Sequence, residues 1–127
     1  MVEKILVVDD SALSRRTMRR ILEAAGYSVV EADEGMAALE LYVIEKPRVV
    51  VLDLVMKGMY GLEVLSKLRE MDDDARVVIA SADIQSSTRL LAEEGGACAV
   101  INKPLVAAEV IQAVEKALGG GTVLGTH

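Results

Sequence analysis

Two periods alternate along the chain. Short aliphatic runs at Ile5–Val8, Val29–Val30, Val49–Leu52, Val77–Ala80 and Ala99–Ile101 suit strands buried on both faces. Between them the apolar positions fall at helical spacing. Leu13, Met18, Ile21, Leu22 and Ala25 form one stripe, with Gly26 placed to end the helix. Met36, Leu39 and Val43 mark a second, which stops before Pro47. Leu62, Leu65, Leu68 and Met71 mark a third. Ile84, Thr88 and Leu91 mark a weaker fourth, closed by Gly95 and Gly96. Ala107, Val110, Ile111, Val114 and Leu118 form the fifth. The order is five strand–helix units, which predicts an α/β domain: a doubly wound parallel sheet with helices on both faces and right-handed crossovers. The closing stretch "GGGTVLGTH" has no periodic face and is expected to be a flexible tail over 119–127, leaving one domain over 1–118.

Composition narrows this picture. A chain of 127 residues fits one core. Its 52% apolar content includes only three aromatics, Tyr27, Tyr42 and Tyr60, so that core must be aliphatic. Twenty acidic against 14 basic residues give a net charge of −6, which argues against nucleic acid as a direct partner. Cys98 stands alone, which excludes an intrachain disulfide; it is expected to be a small packing residue. No apolar run approaches membrane-spanning length, and "MVEKILVVDD" runs straight into a strand. A cytoplasmic monomer is expected.

In an open α/β sheet, ligands bind beyond the carboxyl ends of the strands. The residues there are Asp9 and Asp10 after the first strand, Asp53 after the third, Ser81 after the fourth, and Lys103 with Pro104 after the fifth. Each has an ordinary explanation alone. Paired aspartates favour a helix N-terminus, Ser81 is a turn hydroxyl, and Lys103 ends a strand. Asp53 is less ordinary, since a carboxylate directly after four buried aliphatics is costly unless compensated. Together, three carboxylates, a hydroxyl and an ammonium converge on one rim. Two carboxylates about 5 Å apart repel by roughly 3 kcal/mol at an effective dielectric near 20. Three therefore call for a cation. An all-oxygen set with few protein ligands suits Mg²⁺ better than zinc, copper or a Ca²⁺ cage. A hard cation beside an aspartate and a lysine suggests phosphoryl chemistry with aspartate as nucleophile.

The elements "ILVVDDS", "VVVLDLVM", "VVIASA" and "NKP", in this order and spacing, closely resemble the receiver domains of bacterial two-component response regulators, nearest the stand-alone chemotaxis (CheY-like) type. The resemblance runs from about Met1 to Leu118. It implies a flavodoxin-like sheet of strand order 2-1-3-4-5. It implies Asp53 as phosphoacceptor from a sensor histidine kinase or phosphotransfer protein. Asp10 would ligate Mg²⁺ directly, with Asp9 acting mainly through water or by holding the site acidic, and the Val55 backbone carbonyl as a further ligand. Lys103 would contact Asp53 at rest and a phosphoryl oxygen afterwards, and Ser81 would bind another. The Lys103–Pro104 bond would be cis. The output would be a phosphorylation-dependent partner or phosphatase, and the chain a signalling module rather than a conventional enzyme.

Several positions depart from the family pattern. Val100 stands at the switch position, where an aromatic usually precedes the lysine by three residues, so aromatic rotation is unavailable there. Lys57 and Tyr60 replace a common proline and aspartate, and Ser81 a common threonine. Val55 and Asp83 occupy positions that tune dephosphorylation; Val55 has no polar group to orient water, so a persistent aspartyl phosphate is expected. Arg15, Arg16, Arg19 and Arg20 form two like-charge i,i+4 pairs, either a solvated face or a docking patch for an acidic donor. Competing functions are a receiver-shaped scaffold, a phosphate sink, and the N-terminal receiver of a longer regulator. A haloacid-type phosphatase wants an acid two residues after its nucleophile, where Val55 and Ser11 stand.

Overall fold

A computed structural model describes residues 2–56, 60–82 and 85–119. Ten elements alternate strictly: β1 (Lys4–Val8), α1 (Ala12–Ala24), β2 (Ser28–Ala32), α2 (Gly35–Glu45), β3 (Val49–Leu52), α3 (Gly61–Met71), β4 (Val77–Ser81), α4 (Ser86–Glu94), β5 (Ala99–Asn102) and α5 (Ala107–Ala117). The strands form one parallel sheet of order β2-β1-β3-β4-β5. The expected (βα)5 architecture and strand order are both present. Ile84, Lys57, Asp83 and tail residues 120–127 lie outside the described residues.

The uninterrupted aliphatic strands follow from the two covering layers. Side chains alternate across a strand, so each face takes every second residue. Leu6, Val8, Val50, Leu52, Val77 and Ile79 pack into one core with Ala38, Val64, Leu65, Leu68 and Ala92 of the α2–α3–α4 layer. Ile5, Val7, Val49, Val51, Val78 and Ala80 pack into the other with Met18, Leu22, Val110, Ala113 and Val114 of α1 and α5. Burying a side chain of this size contributes about 1.5–3 kcal/mol, and neither face has room for a polar residue. Cys98 packs at the edge of the α1–α5 core, as a small residue should.

The helices sit differently from their expected stripes. In α2, Met36 and Val43 are exposed, and the face against the sheet is Gly35 and Ala38, with Leu39 and Tyr42 half-buried. The stripe is thus rotated by about one residue, or roughly 100°. Its sequence, GMAALELYVIE, is apolar on nearly every side and offers no polar face to fix the phase. Small residues and a polar anchor decide it instead. Gly35 and Ala38 allow close approach, and the Tyr42 hydroxyl donates to Asp72 Oδ2 at 2.6 Å, tying α2 to the end of α3. Leu13, Ala25, Met71, Leu91 and Ala107 also face solvent. Four of them occupy the ends of their stripes, where the helix has turned away from the sheet or stops; Leu91 lies beside Ala92, which is the buried residue of α4.

Turns follow residue chemistry. Gly26, at φ +97°, ends α1; its N–H donates to the Glu23 carbonyl, and Tyr27 N–H donates to that of Leu22. Lys46 takes the same role after α2 at φ +50°, a conformation that favours glycine. Its side chain is exposed, and it makes no ion pair among the described residues. Lys46→Gly is therefore expected to stabilise the fold by up to about 1 kcal/mol, read as a higher midpoint in urea unfolding with unchanged slope.

Candidate phosphoryl-accepting site

The sheet register brings the rim residues together. Val8 and Leu52 are paired across β1 and β3, so Asp9 and Asp53, the next residues, lie side by side. Ser81 and Asn102 end β4 and β5 as partners, and Lys103 follows. Backbone bonds extend the ladder past the strands. Asp9 N–H donates to Ala32 at 3.1 Å, Asp53 N–H to Val8 at 3.0 Å, and Lys103 N–H to Ser81 at 2.9 Å. Ser81, expected just after β4, is its last residue and is buried. The Lys103–Pro104 bond is cis, as the resemblance implied.

Asp9 and Asp53 are 5% and 8% exposed, whereas Asp10 faces solvent. The three carboxylates each place an oxygen within 4.8 Å of the others. Lys103 stands among them. Its Nζ donates to Asp9 Oδ2 at 2.6 Å, to Ser14 Oγ at 3.3 Å and to Asp53 Oδ2 at 3.4 Å. The expected contact with Asp53 is present, but the short ion pair is with Asp9. Burial pulls the Lys103 pKa down, while the hydrogen bond to Asp9 and the charges of Asp53 and Asp9 outweigh it and leave the pKa raised. The ammonium is therefore retained throughout the neutral range. Three carboxylates against one ammonium leave two formal negative charges in the cluster. With only oxygen donors and a −2 balance, these residues fit a hard divalent cation such as Mg²⁺.

Val55 donates its N–H to Asp53 Oδ1 at 3.3 Å and exposes its side chain. Val100 is half-buried against the α2–α3–α4 core, and Arg89 Nη1 donates to its carbonyl at 3.4 Å. The arginine quartet divides. Arg15 and Arg19 are consumed by Glu31 on β2, at 2.9 and 2.6 Å. Arg16 and Arg20 remain exposed, with no ion pair among the described residues. Glu31, the first residue of the "EADEG" stretch that runs from β2 into α2, thus supplies a structural anion.

Comparison with known proteins agrees with this geometry. Residues 5–115 match the family model of the response regulator receiver domain. The chain belongs to that family. The chemotaxis protein CheY of Bacillus subtilis is 37% identical over 119 residues, covering 93% of this chain and 99% of the relative. The response regulator MprA of Mycolicibacterium vanbaalenii is 38% identical over 111 residues, but this chain spans only 48% of it. Among solved structures, the CheX–CheY–BeF3–Mg complex of Borrelia burgdorferi matches with TM-score 0.86 and 31% identity, covering 89% of this chain and 87% of that one. This is a receiver domain of two-component signalling, similar along most of its length to a chemotaxis protein.

Sequence reasoning passed over Gly61. Its N–H donates to the Leu54 carbonyl at 2.9 Å, at the start of α3. A Cβ there would lie 2.3 Å from the Asp53 carbonyl oxygen and 2.6 Å from Leu54 Cα. The signal was a glycine directly before the Leu62 periodicity, with no turn to explain it. Because backbone cannot yield as a side chain can, Gly61→Ala is expected to destabilise by about 1–3 kcal/mol in denaturant unfolding, with Asp53 displaced.

Proposed function

We propose that the chain is a phosphorylation-controlled receiver in which Asp53 accepts a phosphoryl group from the phosphohistidine of a sensor kinase or phosphotransfer protein. The observation that supports this most is the buried Asp9–Lys103–Asp53 cluster at the carboxyl edge of the sheet, with Asp10 beside it. An Asp53 carboxylate oxygen forms the new bond to phosphorus as the phosphorus–nitrogen bond breaks, and the imidazole leaves with that electron pair. Lys103 is already charged and within reach of Asp53, ready to follow the incoming oxygens. Ser81, on the neighbouring strand end, donates to another. Asp10, Asp53 and the Val55 carbonyl would hold Mg²⁺, with Asp9 behind them. When bound, that ion neutralises charge on the phosphoryl oxygens. The relative from Borrelia, solved with both BeF3 and Mg, supports the same assignment.

The added phosphate charge draws Ser81 and Lys103 toward Asp53 and biases α4 and β5 between two arrangements that a partner or phosphatase distinguishes. The complex of the Borrelia relative with CheX is consistent with a protein partner. With Val100 in the switch position, the change travels by helix and loop shifts. The exposed, apolar Val55 side chain favours a persistent aspartyl phosphate. No helix among the described residues is long and apolar enough to cross a membrane, which fits a cytoplasmic role. We assign the receiver to residues 1–118 and a tail to 119–127.

Acetyl phosphate should label the protein only with Mg²⁺ present, and Asp53→Ala should abolish the label; labelling that survives the substitution rejects Asp53 as acceptor. Arg16 and Arg20, unlike Arg15 and Arg19, are available to an acidic donor. Arg16→Glu with Arg20→Glu should slow transfer from a phosphorylated protein donor while leaving acetyl phosphate labelling unchanged. An equal change in both reactions would exclude donor docking at this face.

A further inference from the structure

We infer that Arg15 is a positioning residue, which pins the backbone of Asp9 and so holds the acidic cluster ready for its cation; this rests on the receiver reading above. The guanidinium spans two targets. Nη1 donates to the Asp9 carbonyl at 2.7 Å, and Nε donates to Glu31 Oε1 at 2.9 Å. Its side chain is only 17% exposed. Glu31 is itself fixed in β2, opposite Val7 in β1, and its second oxygen takes Arg19 Nε at 2.6 Å. The hydrogen bond from Arg19 lowers the Glu31 pKa more than burial raises it, and the Arg15 bond adds to the lowering. The anchor is therefore charged at neutral pH.

Asp9 is held at four atoms. Its N–H donates to Ala32, its carbonyl accepts from Arg15, Oδ1 accepts from Ser11 N–H at 2.9 Å, and Oδ2 accepts from Lys103. Three of these restraints would exist in any strand-to-helix turn with a lysine opposite. The fourth comes from an arginine one turn into α1, whose planar fork offers a carbonyl and a carboxylate separate N–H groups in fixed directions, where a lysine has one nitrogen on a flexible stem. Without it, the repulsion among Asp9, Asp10 and Asp53 can relax by rotation of the Asp9–Asp10 peptide. With it, the cluster keeps its shape before any cation arrives, and binding requires less reorganisation.

Arg19→Gln is the control, since it removes an ion pair to Glu31 but leaves the Arg15 contact with the Asp9 carbonyl. Calorimetric titration with MgCl2 is expected to show weakening by roughly tenfold in Arg15→Gln and little change in Arg19→Gln. In the metal-free protein, amide exchange at Asp9 and Ser11 should accelerate in Arg15→Gln while core amides such as Val51 are unchanged. Should the glutamine variant not fold, Arg15→Lys, with its charge but a single donor group, should show an intermediate loss. Equal Mg²⁺ affinity in wild type and the Arg15 variants, equal weakening in the Arg19 variant, or faster exchange spread over the whole sheet would overturn the inference. A wild-type chain that binds no Mg²⁺ would overturn the proposed Mg²⁺-dependent phosphoacceptor function beneath it.

Discussion

The Lys103 ammonium, set between Asp9 and Asp53, is the contact on which the rest of the site depends. Two nearly buried carboxylates at the end of an aliphatic sheet would otherwise repel across a few ångströms in a poorly screened setting. Lys103 compensates this incompletely. Its charge is one against three, and its short bond goes to Asp9. Asp53 is left with a long contact of 3.4 Å and a bond from Val55 N–H. The carboxylate with the looser grip is thus the one proposed to form a new bond. The residual negative charge is also what suits the cluster to a divalent cation.

That cluster exists because of backbone geometry more than side-chain choice. Parallel pairing puts residues after Val8 and Leu52 next to one another, and ladder bonds continue one step beyond each strand. Gly61 lets α3 begin directly against the Asp53 carbonyl, closer than any side chain permits. The aliphatic layers on both faces then make the sheet a stiff base.

Much of this was legible in the sequence, for identifiable reasons. Strands buried on both faces write themselves as continuous aliphatic runs, and the chemistry must follow them at their carboxyl ends. Asp9, Asp53, Ser81 and Lys103 were found that way. What was not legible depends on contacts between distant positions. The phase of α2 is hidden because Met36, Val43 and Ile44 are as apolar as its buried face; Ala38 and the Tyr42–Asp72 bond decide it across thirty residues. Arg15 and Arg19 looked like a repelling pair because their partner, Glu31, comes from another element. A spacing rule sees i and i+4, and it cannot see a carboxylate brought in by the sheet.

The three aspartates consequently differ in burial, although the sequence presents two of them as equivalent neighbours. Asp9 is buried and restrained at four atoms, Asp53 is buried but loosely bonded, and Asp10 is exposed. A site proposed to accept a cation and then a phosphoryl group needs this gradient. A fully rigid cluster would leave no oxygen available to a new bond, and a fully mobile one would separate under its own repulsion. Asp9 is fixed through Lys103 on one side and the α1 turn on the other, which on the proposed reading keeps the cluster together while Asp53 forms its new bond. The adjacent pair at the end of β1 thereby divides into a buried acid and an exposed one.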